Sequence, residues 1–225
     1  MYIFVKKYRM EVFRFDKKNS VLNNFIAEIR DVNIQKDSMR FRRNIERIGE
    51  ILSYELSQIL EYDPVNVVTP LGEKTINISQ NNLVLCSVLR AGLPLHRGIL
   101  NFFDSIENAF ISAYRHHTNK DQFKIHVEYL ATPHLDNKIL ILADPMLATG
   151  SSLVAVYESL KELGDIEQIH IVSVIASQEG IDYIDNHFPE NTKLWVATID
   201  QVLNEKGYIV PGLGDAGDLA FGSKL

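Results

Sequence analysis

A single cysteine, Cys86, stands among 225 residues, which excludes an internal disulfide and a multi-cysteine zinc centre. It sits within the apolar run Leu83–Leu89 and reads as a buried thiol behaving as a small hydrophobe. No apolar stretch approaches the ~18 residues of a membrane span, and charge interrupts the N-terminus too early for a signal peptide. No membrane partner is therefore expected, and the expected location is cytoplasmic. Positive charge is also short: the formal net charge of −6 argues against nucleic acid as the main partner, since duplex binding needs a basic face. Internal repeats, low-complexity segments and linkers are missing as well. The Walker A order is absent too, because Gly217–Gly222 copies its spacing while Ser223 and Lys224 stand reversed, with no helix expected there.

What remains is ordinary globular composition, 46% hydrophobic and 23% charged, in a chain long enough for one substantial domain. Charge is uneven. Residues 1–20 carry Lys6, Lys7, Arg9, Arg14, Lys17 and Lys18 against Glu11 and Asp16, a net of +4 that leaves −10 for the rest. They are set apart as a basic N-terminal extension, with 21–225 as the single domain. Leu22, Phe25, Ile26 and Ile29 follow helical spacing, and a longer helix is predicted from about Ser38 to Ile59 with Ile45, Ile48, Leu52 and Leu56 inward. Its Arg42, Arg43 and Arg47 read as a solvated face. Residues 65–78 read as a hairpin arm.

From there strands and helices alternate. Strands are predicted over Leu83–Leu89, Ala109–Tyr114, Phe123–Leu130, Lys138–Ala143, Gln168–Ala176 and Lys193–Thr198, the last of the series. Helices are predicted over Pro94–Phe103, Ser152–Leu163 and Gln178–His187. This rhythm implies an α/β fold whose mostly parallel sheet is covered by helices on both faces.

Two segments carry chemistry. Ile139–Ala143 is all apolar, as a central parallel strand should be. It ends in Asp144-Pro145-Met146-Leu147-Ala148-Thr149-Gly150-Ser151-Ser152, a loop opening at the carboxyl crest, where such folds bind ligands. Small residues at the following helix start place unpaired N–H groups and the macrodipole toward an anion. Hydroxyls of Thr149, Ser151 and Ser152 add donors, and Asp144 suits ribose hydroxyls. The plainer reading of Thr-Gly-Ser-Ser is a helix cap. The second segment is 207–225, with five of the twelve glycines threaded among Tyr208, Ile209, Val210, Leu213, Leu219 and Phe221. Dense glycine lets a main chain approach a flat ligand closely. Together the segments suggest an enzyme joining a flat base to a phosphorylated sugar. Arg90 and Arg115 each follow an apolar strand, so both should emerge at the same crest, and guanidinium binds phosphate oxygens bidentately. The adjacent His116 and His117 point apart and make no metal site. His96 reads as structural.

These motifs resemble those of the uracil phosphoribosyltransferases, a type I phosphoribosyltransferase family. DPMLATGSS is similar to their 5-phosphoribosyl-1-diphosphate (PRPP) motif, and GYIVPGLGDAGD to their uracil-binding segment. With LRAG at 89–92 and Tyr114-Arg115, the likeness runs from about residue 20 to the C-terminus. Ser151 departs from it, since many members carry a second glycine there. The resemblance implies phosphoribosyl transfer from PRPP to uracil, giving UMP and diphosphate. It implies that Arg90, Arg115, Asp215 and residues 144–152 contact PRPP, with Arg90, Arg115 and Asp215 catalytic. Ile209, Gly214, Asp215 and Ala216 would contact uracil through the main chain, matching its carbonyl, N–H, carbonyl edge and rejecting cytosine. Asp218 reads as structural. Mg²⁺ is expected on the diphosphate, with no protein cage. A homodimer or higher homo-oligomer is expected, and GTP is a candidate effector, as in some relatives. Two other readings stay open: a non-catalytic PRPP or nucleotide sensor acting through residues 1–20, and a phosphoribosyltransferase for another base. Purine and orotate enzymes usually carry paired acids where this chain has Asp144-Pro145, which counts against the latter.

Overall fold

The computed structural model describes residues 9–79, 82–119 and 122–224, with the backbone alone for 113–119 and 122–127. The first elements among the described residues are a strand, β1 (Glu11–Arg14), and helices α1 (Leu22–Arg30) and α2 (Ser38–Ser57). Asp37 caps α2, its carboxylate accepting from the Met39 and Arg40 N–H groups at 3.0 and 3.1 Å, which satisfies donors a helix start leaves unpaired. The four inward residues expected of α2 are all buried, and Phe41 joins them. A hairpin of β2 (Tyr62–Thr69) and β3 (Gly72–Ser79) stands apart as its own two-stranded sheet. It leaves Leu71 99% and Val68 77% exposed.

The main sheet follows: β4 (Leu83–Leu89), α3 (Gly92–Leu100), β5 (Glu107–Asn119), β6 (Gln122–Ala131), β7 (Ile139–Ala143), β8 (Met146–Leu147), α4 (Ser151–Leu160), β9 (Gln168–Ser177), α5 (Gln178–His187) and β10 (Lys193–Asp200). A small hairpin, β11 (Val202–Leu203) with β12 (Ile209–Val210), and a short helix, α6 (Ala216–Phe221), complete the chain. The spatial order is β1-β10-β9-β7-β4-β5-β6, with β8 pairing β9. All pairs are parallel except β5 with β6.

Residues of β4 alternate between two cores, as the period of two demands. Leu83 and Leu85 join one core with α2 and α3, while Val84, Cys86 and Val88 join the other with α4 and α5. Helix α3 crosses α2 so closely that a Cβ on Gly98 would lie 2.1 Å from the Glu46 carbonyl. Cys86 is buried, and desolvation pushes its thiol up to about 12, so it stays protonated and inert. His96 is buried, its Nδ1 2.7 Å from Ser87 Oγ. His170 is buried too, accepting from Trp195 Nε1 at 3.1 Å, and burial depresses it to about 3. Both imidazoles are core groups. No helix among the described residues is long and apolar enough to cross a membrane.

Three elements differ from the sequence reading. Within the segment set apart as an extension, Glu11–Arg14 pairs with β10, and Phe13 stacks on Trp195 at 4.1 Å between centroids. Lys193–Thr198 is not the last strand, because β11 and β12 follow. A helix does form near the C-terminus, Ala216–Phe221, though it ends before Ser223 and Lys224.

Candidate active site

The chain leaves β4 through α3 toward β5 on one side, and leaves β7 through α4 toward β9 on the other. Strands β4 and β7 are neighbours, so a switch in winding direction falls between them, and the crevice beyond their carboxyl ends is where α/β sheets bind ligands. Arg90 follows β4 there and Asp144 follows β7. A cavity of about 220 Å³ opens at this point, lined by Arg90, Ala91, Asp144, Ser152, Asp215 and Gly217, with Lys224 at its edge. The loop 144–152 and the glycine-rich tail, far apart in sequence, thus share one cleft.

The loop 144–152 is held from below. Ser173 Oγ donates to the Asp144 carbonyl and Ser177 Oγ to that of Ala148, each at 2.6 Å. The Val174 and Ile175 N–H groups both reach the Pro145 carbonyl, at 3.1 and 3.0 Å. Met146 and Leu147 pair with β9 as the two-residue strand β8, where a plain loop is predicted. Gly150 turns the chain at φ 77°, and a Cβ there would sit 3.0 Å from the Gly180 carbonyl, so glycine is required twice over. Ser151 begins α4 in helical conformation, which explains why a side chain is tolerated at that position. Its Oγ lies 2.6 Å from Thr149 Oγ1. Gly150 supplies no side-chain cap; the Ser151 N–H reaches Thr149 Oγ1 at 3.4 Å, and Ser152 lines the cavity, so the helix start, which favours an anion, adjoins it.

Asp144 lines the cavity and accepts the Met146 N–H at 3.2 Å. Desolvation dominates, and its carboxyl is raised to about 7 despite that hydrogen bond. A carboxyl perturbed by burial beside a cleft makes Asp144 a candidate functional residue.

Arg90 is partly exposed, with Nη2 3.3 Å from Asp218 Oδ1 and 3.1 Å from the Gly222 carbonyl. The side chain of Arg115 lies outside the described part, as do those of His116 and His117. In the tail, Gly214 adopts φ 94° and Ile209 and Ala216 are buried. Asp215 both lines the cavity and caps α6, accepting the Asp218 N–H at 3.0 Å. The Ala216 N–H donates to the Met146 thioether at 3.4 Å, so the two loops touch directly.

Asp218 and Lys224 are neighbours of the site that the sequence reading did not select. Asp218 faces Arg90 rather than serving the tail alone, and Lys224 lines the cavity. Arg42 is also more than a solvated cation: Nη1 donates to the Ala220 carbonyl at 2.6 Å, and its guanidinium lies 5.9 Å from the Phe221 ring centroid. Among the described residues no three metal-ligating side chains converge.

The comparisons with known proteins agree with this geometry. The family model for uracil phosphoribosyltransferase matches residues 17–223. A Porphyromonas gingivalis protein named uracil phosphoribosyltransferase is 52% identical over 216 residues, covering 96% of this chain and all of the relative. One of the same name from Pyrococcus furiosus is 38% identical, covering 95% of this chain and 91% of its own length. Among solved structures, the AQ2163 protein of Aquifex aeolicus superposes with a TM-score of 0.84 at 27% identity, covering 95% of this chain and 99% of that one. A Staphylococcus aureus hypoxanthine phosphoribosyltransferase reaches 0.50 at 14% identity, covering 82% and 83%, a likeness of fold alone. The chain belongs to the uracil phosphoribosyltransferase family.

Proposed function

We propose that the cleft between β4 and β7 transfers the phosphoribosyl group of PRPP to uracil, giving UMP and diphosphate. The observation that carries this is the single cavity lined at once by Arg90, Asp144, Ser152, Asp215 and Gly217. A guanidinium, two residues of the loop 144–152 and two of the glycine-rich tail line it together, which supports the reading.

The roles follow from the donors each element presents. The 5-phosphate sits at the start of α4, on Thr149, Gly150, Ser151, Ser152 and the leading N–H groups, while Pro145, Met146, Leu147 and Ala148 form the loop's wall. Asp144 accepts the ribose hydroxyls. The C1–O bond to diphosphate breaks as the bond from uracil N1 to C1 forms, and the N1 proton passes to solvent. Arg90, with Arg115 in the part of β5 that runs on past its last β4 partner, Ser112, stabilises the charge gathering on diphosphate. Fixed cations at a leaving group act like other preorganised donors, each on the order of 3 kcal/mol. Asp215 faces the electron-poor ribose. Alignment of uracil by the tail with the anchored ribose removes much of the entropic barrier.

For the base, Ile209, Gly214, Asp215 and Ala216 offer main-chain groups. A thioether is a weak acceptor, so a uracil carbonyl displaces Met146 from the Ala216 N–H without leaving a strong bond broken. Cytosine would leave buried groups unpaired. The donor set of Asp144 and Asp215 at one cavity fits a divalent cation that arrives on the diphosphate. When bound, Mg²⁺ neutralises diphosphate charge. The exposed apolar hairpin supports a homodimer, and the buried lone thiol fits a cytoplasmic enzyme. The deciding experiment incubates the purified chain with PRPP, Mg²⁺ and each base in turn. Diphosphate release with uracil but not with cytosine, orotate or hypoxanthine is expected. Release with another base instead overturns the assignment, as does nucleic-acid binding through residues 1–20 without UMP formation.

A further inference from the structure

An ion pair outside the cavity holds the segment assigned to the base. Arg30 closes α1 and Asp200 closes β10. Their contact is bidentate, Nη1 to Oδ2 at 2.8 Å and Nη2 to Oδ1 at 2.9 Å. Both side chains are sheltered, 21% and 10% exposed. Each partner also grips the same residue of the tail. Asp200 Oδ2 accepts the Gly212 N–H at 2.8 Å, and Arg30 Nη1 donates to the Gly212 carbonyl at 3.1 Å.

Gly212 lies midway between Ile209 and Gly214, at φ 61° in a turn so tight that a Cβ would fall 2.0 Å from the Ile209 carbonyl. Fixing both polar groups of this residue therefore fixes the spacing between the two ends of the base reader. The network extends further. Arg30 Nη2 reaches Thr198 Oγ1 at 3.2 Å, Thr198 Oγ1 donates to Asp16 Oδ2 at 2.9 Å, and Asp16 pairs with Arg14 of β1. Burial alone would raise the Asp200 carboxyl, but hydrogen bonds from Arg30 and Gly212 and the Arg30 charge outweigh it and hold it below its ordinary value. A sheltered, fully partnered pair of this kind gives geometry rather than large net stability.

We infer that Arg30 and Asp200 are positioning residues for the base: through Gly212 they set the register in which the main chain at 209 and 214–216 meets uracil. This rests on the assignment of that segment to uracil. Lysine is no substitute for Arg30, because one ammonium lacks the planar fork that serves Asp200, Gly212 and Thr198 together.

The test is steady-state kinetics on the full-length chain, wild type against Arg30→Lys, Asp200→Asn and Thr198→Val, each substrate varied with the other saturating. Arg30→Lys and Asp200→Asn should raise KM for uracil about tenfold while KM for PRPP stays within about twofold. Their rate with cytosine relative to uracil should rise. Thr198→Val, which removes one outer contact of Arg30 in a nearly isosteric side chain, should raise uracil KM about twofold to threefold. A purely structural role would move both KM values together or lower only the melting temperature, and either outcome in folded variants overturns the inference. Should the ion-pair variants fail to fold, Thr198→Val decides, an unchanged uracil KM overturning it. Wild-type chain that makes no UMP overturns the base assignment itself, and this inference with it. Active wild type with variants whose two KM values move together overturns this inference alone.

Discussion

Residues 144–152 hang from the central sheet. The carbonyls of Asp144, Pro145 and Ala148 are each held by groups of β9, and β8 adds two ladder positions. Residues 207–224 reach the same cavity with a two-residue strand and a short helix as their regular structure. Their ties are side chains spread over the whole chain: Arg30 and Asp200 on Gly212, Arg42 on Ala220, Arg90 on Gly222. On the proposed assignment, the sugar-phosphate half is tied to one strand, β9, by main-chain bonds and the Ser173 and Ser177 hydroxyls, and the base half by side chains from several elements. Backbone ladders survive most substitutions, whereas a side-chain tie is lost with one residue. The base half should therefore be the more easily perturbed by changes distant from the cavity.

The largest expected effect lies where the halves meet. Arg90→Ala should lower kcat by about a hundredfold or more, measured by UMP formation at saturating substrates. A loss below tenfold would remove Arg90 from the leaving-group site. Next come paired glycine substitutions that separate the halves. Strain at a positive φ costs on the order of 1–3 kcal/mol, so Gly150→Ala should raise KM for PRPP about tenfold and Gly212→Ala that for uracil. If each variant raised both constants equally, the division would collapse.

A smaller, pH-dependent effect follows from Asp144. Its carboxyl is raised to about 7 in the folded chain against 3.8 ordinarily. If, as proposed, the ionised carboxyl accepts ribose hydroxyls, KM for PRPP should fall as pH rises through about 7 in the wild type. In Asp144→Asn that dependence should shrink to what the titration of PRPP itself supplies. Stability runs the opposite way. Folding disfavours the ionised form, so the group's contribution is complete below 3.8 and is lost as pH climbs through about 7. Asp144→Asn should therefore melt a few degrees above wild type at pH 8, and the gain should be less at pH 5. Equal melting differences at both values would contradict the burial argument.

The smallest effect is on the tail's outer tie. Arg42→Ala removes one hydrogen bond worth about 1 kcal/mol. Amide hydrogen exchange should quicken within Ala216–Phe221 and not in α4, with uracil KM rising about twofold.

Much of the sheet was legible because its strands are uninterrupted apolar runs bounded by glycine, proline or charge. Leu83–Leu89 and Ile139–Ala143 needed no tertiary information to be recognised, and the loop after the second strand carried its own small-residue signature. Arg30, Asp218 and Lys224 were not legible. Arg30 gains its partners from residues 168 and more positions away, and nothing local distinguishes it from the other arginines of the N-terminal helices. Glu11–Arg14 was hidden for a related reason. Four residues hold too little periodicity to announce a strand, and its place is fixed by pairing with β10 and stacking on Trp195. Asp215 illustrates a third case, since it lines the cavity while its carboxylate also caps α6.

The strand Glu11–Arg14 also bears on where this fold can be cut. The family match begins at residue 17, yet a chain trimmed there would strip the cover from β10 and one face from Trp195. A bared parallel edge is a template for stray association between copies. Truncation at the family boundary would thus produce clumping that has nothing to do with catalysis, and the workable limit of the unit lies upstream of Glu11.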